Sequence, residues 1–139
     1  MDAGLGWIDV AAYLGYLALA GLAVVTGPRG ALWYAGLCLS VVCAVLWVIA
    51  RRQLGQAFSV AAKARGLVTH GLYSRLRHPI YVFGTLAFLW ALLALKGWPA
   101  LVVWSIVIAV QVVRARREDR VLSKAFGAEY AAYRSATWF

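Results

Sequence analysis

The sequence predicts an all-α integral membrane protein: a bundle of about four transmembrane helices in two hairpins, with a cytoplasmic connector and a C-terminal amphipathic helical tail. Three observations carry that expectation. Of 139 residues, 64% are hydrophobic and only five are acidic, which is more apolar surface than one small soluble core can bury. The apolar residues fall into four stretches, 7–25, 31–50, 80–95 and 98–113. Every Lys and Arg except Arg29 and Lys96 lies in two polar segments, 51–79 and 114–139. The chain 1–139 thus reads as one membrane domain: hairpin 1–50, connector 51–79, hairpin 80–113 and tail 114–139.

The first two stretches reach the roughly 20 residues that a helix needs to cross the hydrocarbon core. Thr26-Gly27-Pro28-Arg29-Gly30 separates them and supplies the residues that stop one helix and start the next. Ala18-Leu19-Ala20 has the small residues of a cleavage site, but no basic leader precedes it and the apolar run is too long for a signal peptide. The segment 7–25 therefore reads as a retained helix. In the second stretch Gly36, Ser40 and Ala44 recur every four residues, a small face suited to close approach by a neighbouring helix. Cys38 and Cys43 lie in the same stretch and read as small hydrophobes, implying neither a disulfide nor a metal site. The shorter stretches 80–95 and 98–113 form a second hairpin around Lys96-Gly97-Trp98-Pro99, with the proline suited to the start of the last helix. Trp7, Trp33, Trp98 and Trp138 sit near span ends or in the tail, where amphipathic rings anchor in the headgroup region.

Positive residues are retained on the cytoplasmic side, so the basic connector and tail place both termini there. The net charge of +9 follows from that rule and from attraction to anionic headgroups, and no nucleic-acid partner is expected.

Two polar clusters ask for more than topology. "LVTHGLYSRLRHPIY" sets Arg77 and His78 against Pro79, at the mouth of an apolar helix. Arginines beside a span usually snorkel to water, which is the plain explanation for Arg75 and Arg77; the alternative is a polar cavity. The tail reads "RARREDRVLSKAFGAEYAAYR", and its Glu118 and Asp119 follow the last span by about one helical turn. On a continuous helix Glu118 shares a face with Leu122, and Asp119 with Leu122 and Phe126. Gly127 ends that helix, and Tyr130 and Tyr133 point the same way from a short second one. Surface pairing with Arg114, Arg117 or Arg120 is the plain explanation of the acids.

Together, "GLYSRLRHPIYVFG", an apolar hairpin and "RREDRVLSKAFGAEYAAYR" resemble the isoprenylcysteine carboxyl methyltransferase family and its phospholipid methyltransferase relatives, from about Leu67 onward. The resemblance implies integral membrane, S-adenosylmethionine-dependent methyl transfer. It assigns cofactor contacts to His78, Tyr81, Glu118 and Asp119, and gives Arg77 a catalytic place beside the substrate. The substrate it implies is a lipid, a prenylated group or another lipophilic acceptor. The sequence departs from the family in having Phe83 two residues after Tyr81, with Gly84 next, and Asp119 where glutamate is usual.

The residue types suit that chemistry. A sulfonium donor with an amino-acid end and an adenine needs acids for its ammonium, donors for its carboxylate and aromatic walls. Glu118 or Asp119, His78 with Arg77, and Tyr81 with Phe126 supply them. No metal is required. A carboxylate acceptor is already ionised, whereas an amine or hydroxyl must lose a proton. With only His70 and His78 as neutral bases, the sequence favours a carboxylate or thiolate acceptor. A nicotinamide-dependent reductase of the sterol type, with Arg114, Arg116 and Arg117 serving a phosphate, and a non-catalytic protein of the same fold stand as alternatives. An ion-coupled exporter is disfavoured, because the spans carry no ionisable group except Asp9.

Overall fold

The computed structural model describes residues 7–55 and 67–138, with side chains from residue 10 onward. Lys63 and Arg65 of the connector, and the Trp7 and Asp9 side chains, lie outside the described residues. Among the described residues four helices follow one another: α1 (Trp7–Thr26), α2 (Ala31–Leu54), α3 (Pro79–Lys96) and α4 (Ala100–Ala136), with a 3-10 turn at Gly71–Ser74. Among the described residues no strand occurs, and the one bridge of that type pairs Leu76 with Trp138.

The helix limits follow local chemistry. Pro79 opens α3, where its missing N–H is no loss, and Gly97 closes it in the left-handed region at φ 66°. α2 outruns its apolar stretch by a full turn, because Arg51, Arg52, Gln53 and Leu54 are good helix formers and the two cations complement the helix C-terminus. The connector thus begins after Leu54 rather than at Arg51.

Helices α2 and α3 pack most closely, along the small face seen in the sequence. Gly36 is buried, and a Cβ there would stand 2.9 Å from the Trp90 carbonyl oxygen and 3.0 Å from the Ala94 Cβ. Ser40 donates to the Ala87 carbonyl at 2.9 Å and meets the Tyr16 hydroxyl at 3.0 Å, tying α1, α2 and α3 together. Around this contact lies a core of Tyr16, Cys43, Trp47, Ala87 and Ala91. Alanine at residue 36 would gain helix propensity of roughly 1 kcal/mol, but the Trp90 backbone oxygen cannot move aside as a side chain could. Gly36→Ala is therefore expected to destabilise the bundle by about 1–3 kcal/mol, read as a lowered melting temperature in detergent.

Trp33 departs from the expected anchoring role. It is 8% exposed, donates to the Ala23 carbonyl at 2.8 Å and lies under the Arg29 guanidinium, because the tight Gly27 turn folds it back onto α1. Trp98 and Trp138 are exposed.

Leu14, Leu17, Val25, Val41, Val42 and Val102 all point outward, an apolar exterior suited to lipid. By length and composition Ala31–Leu54 and Pro79–Lys96 can cross a membrane. α1 offers the shorter apolar stretch Val10–Thr26, and α4 is apolar only over its first half.

Candidate active site

α4 carries the membrane-facing sequence directly into the acidic pair, so Glu118 and Asp119 emerge beside the start of α3. There His78, just before Pro79, is 7% exposed and sits between the two acids. Its Nε2 lies 2.8 Å from Asp119 Oδ1, and its Nδ1 lies 3.7 Å from Glu118 Oε2. An ionised carboxylate only accepts hydrogen bonds, so Nε2 carries the proton shared with Asp119. Arg77 places a terminal nitrogen 3.6 Å from Asp119 Oδ2.

The tail closes the same site from the other side. Gly127 takes φ 50° and ψ −116°, a conformation that favours glycine, and the helix axis breaks there. Beyond the break, the fully buried Tyr130 donates its hydroxyl to Asp119 Oδ1, and Tyr133 donates to the Tyr73 carbonyl at 2.7 Å. Two backbone bonds then strap the tail to the segment before α3: Trp138 N–H to Arg75 O at 2.8 Å and Arg77 N–H to Trp138 O at 3.4 Å.

Asp119 is thus a hub. Burial alone would raise its pKa, but the hydrogen bonds from Tyr130 and His78, with the charges of His78 and Arg77, outweigh burial and hold it below the usual carboxylate range. Burial pushes the Tyr130 phenol well above its ordinary value, and the bond to Asp119 pushes the same way. Tyr133 rises to about 12, chiefly through burial, with Arg77 opposing and Glu118 adding to the rise. Both phenols keep their protons at neutral pH and act as donors.

Two cavities meet at Arg77, His78, Tyr81 and Gln111. One, of about 150 Å³, is reached by all four helices and is walled by Trp47, Tyr73, Phe88, Arg114 and Glu118. The other, of about 420 Å³, runs between α3 and α4 along Val82, Leu86, Trp104, Ile108 and Val112 to Asp119. The second is within the usual size of a small-molecule site. Arg114 lies over the Tyr81 ring, 5.3 Å from its centroid.

All five residues singled out in the sequence come together here. Phe126, expected beside Tyr81, lines neither cavity. Gly84 lies against the Trp47 indole, where a Cβ would stand 3.1 Å from the ring, so the glycine one place after Phe83 serves the α2–α3 contact. The sequence assigns no place at the site to Tyr73, Gln111 or Trp138. Tyr73 and Trp138 could have been found only through their pairing with a distant segment; Gln111 is the one amide in the apolar run of α4.

A family model described as phospholipid methyltransferase matches residues 31–129. It takes in α2, α3 and the hub residues Arg77, His78, Glu118 and Asp119, stops one residue short of Tyr130, and reaches further toward the N-terminus than the resemblance from Leu67. No curated protein and no solved structure matches the chain.

Proposed function

The chain belongs to the phospholipid methyltransferase family, and from that premise we propose that it transfers a methyl group from S-adenosylmethionine to a lipophilic acceptor at the junction of the two cavities. Methyl transfer to a membrane substrate is the family's activity; the donor, the acceptor and the residue roles are the reading proposed. The observation that carries it is the shared edge: Arg77, His78, Tyr81 and Gln111 border a polar, aromatic cavity on one side and an apolar groove on the other. Ligands in the two would meet there.

The residues present fit the donor. Glu118 offers a carboxylate to an ammonium. Tyr81, Trp47 and Phe88 offer ring faces to a sulfonium or a purine. Arg77 Nε, buried and without a hydrogen-bond partner among the described residues, offers a donor to an anion. When bound, S-adenosylmethionine supplies an electrophilic methyl. The protein's share is to align the acceptor in line with it and to keep water out. Asp119 and Tyr130 hold His78 and Arg77 in place, and the α3–α4 groove takes the acceptor's apolar chain.

A carboxylate acceptor, such as a prenylcysteine-like group gripped by Arg77, needs no base. The chemistry agrees with a His78 whose Nε2 proton is committed to Asp119. The family's description favours a second reading, a phospholipid amine, and Glu118 beside His78 Nδ1 is where its proton would go. We place the chain in a membrane, the cytoplasmic membrane if the cell is bacterial, in four crossings with both termini on the cytoplasmic side. Single cysteines at Arg29 and Lys96, in a cysteine-free background, are then expected to react with an impermeant thiol reagent from outside, and one at Lys63 not to. Equal labelling of all three would overturn that orientation.

The donor assignment is tested by melting. S-adenosylhomocysteine at about 100 times its dissociation constant is expected to stabilise the wild type by about 2.7 kcal/mol, and Glu118→Gln by much less. An unchanged wild-type melting temperature would remove S-adenosylmethionine from the account.

A further inference from the structure

Two buried donors that the fold leaves unengaged border the same cavity. Tyr73 is 5% exposed, and its hydroxyl has no hydrogen-bond partner among the described residues. Arg77 Nε is in the same condition, although the far end of its guanidinium reaches toward Asp119. Both residues line the 150 Å³ cavity. Buried polar groups in native proteins nearly always have a partner, because one left unpaired bears its full desolvation cost; an exception calls for a reason.

Tyr73 is also fixed in place. Gln53 Oε1 accepts the Leu72 N–H at 2.8 Å, and the Tyr133 hydroxyl binds the Tyr73 carbonyl, so the turn bearing the ring is clamped from α2 and from the tail. Burial first, then the negative charge of Glu118, pushes the phenol well above its ordinary range, with Arg51 opposing, so at neutral pH the hydroxyl is a donor. A clamped donor on a residue that lines the cavity needs little rearrangement to bind an acceptor.

We infer that Tyr73 Oη–H and Arg77 Nε–H form an anion subsite, which takes a carboxylate or phosphate oxygen of a ligand whose cationic group lies toward Glu118. The inference rests on the methyl-transfer reading of this cavity and extends it to a residue that reading does not use. The cavity wall carries Arg77 and Arg114 against Glu118, so it suits a zwitterion better than a simple anion. Two ligands have that chemistry: the amino-acid end of the methyl donor, and a zwitterionic lipid headgroup.

Tyr73→Phe separates them. The ring and its packing stay, and an unpaired hydroxyl is removed, so the variant is expected to melt at or above the wild-type temperature. Affinities of both proteins would be measured by calorimetry in lipid nanodiscs for four probes: S-adenosylhomocysteine, its decarboxylated analogue, lysophosphatidylethanolamine and the monoacylglycerol that lacks the phosphate. A loss of about tenfold for S-adenosylhomocysteine, absent for the decarboxylated analogue, assigns the anion to the donor's carboxylate. The same loss confined to lysophosphatidylethanolamine assigns it to the lipid phosphate. If wild type binds no S-adenosylhomocysteine yet shows the lipid-specific loss, the methyl-donor reading falls while the subsite stands. Equal affinities of wild type and variant for all four probes would overturn the subsite, as would a lowered melting temperature with unchanged affinities, which marks a structural hydroxyl.

Discussion

Asp119→Asn is expected to lower stability by about 1.5–3 kcal/mol and turnover by on the order of a hundredfold. The substitution keeps the shape but removes the charge on which three groups converge. Asp119 Oδ1 accepts from His78 Nε2 and the buried Tyr130 hydroxyl, and Oδ2 faces Arg77. Without that charge the Arg77 guanidinium, whose Nε already lacks a partner, is left buried with less compensation. The amide keeps a single acceptor oxygen, so either Arg77 or the His78–Tyr130 pair then faces an NH2 donor instead of an acceptor. The pH dependence gives the sign. A carboxyl held below its ordinary value of 3.8 contributes stability that is fully present above that pH and is lost as pH falls through the folded-state value. Wild type should therefore lose stability more steeply than Asp119→Asn on acidification below about pH 3.8. Parallel acid limbs would show that Asp119 is not the hub.

Arg77→Lys is expected to fold and insert normally yet turn over ten- to a hundredfold more slowly, a loss of about 1.4–2.7 kcal/mol of transition-state stabilisation. Lysine keeps the charge that faces Asp119 and satisfies topology. It lacks the planar fork and the unpartnered Nε–H of Arg77, a residue that lines both cavities. Arg75→Lys is the control: the Arg75 side chain is exposed, and only its backbone carbonyl is used, by Trp138. Near-normal turnover in Arg77→Lys would return Arg77 to a purely interfacial role.

What could be read from the sequence were features whose cause is local. Pro79 and Gly97 bound α3 because of their own backbone chemistry. The Gly36, Ser40 and Ala44 spacing marked the face that α3 now covers. Gly127 was expected to break the tail helix, and its positive φ does so. Helical periodicity lets the acids share a face with Leu122 and Phe126, which leaves surface pairing open, and in the structure they meet His78. What could not be read are partners set by the direction the chain takes after a break. A φ of 50° at Gly127 carries Tyr133 back to Tyr73, sixty residues earlier in the chain, and Trp138 to Arg75. No periodicity encodes those pairings. For the same reason Tyr73 reads in the sequence only as part of the connector, and Trp33 as an anchor rather than a side chain folded onto Ala23.

The central claim is that the junction of the two cavities transfers methyl groups. Purified protein incubated with membrane lipid extract and methyl-labelled S-adenosylmethionine is expected to move label into the lipid-soluble fraction. Base-labile label there would mark a methyl ester, and base-stable label a methylated amine. Asp119→Asn should suppress either, while Arg75→Lys should not. Label that stays in the water-soluble fraction with wild type, across extracts supplying both acidic and amine lipids, would contradict the account.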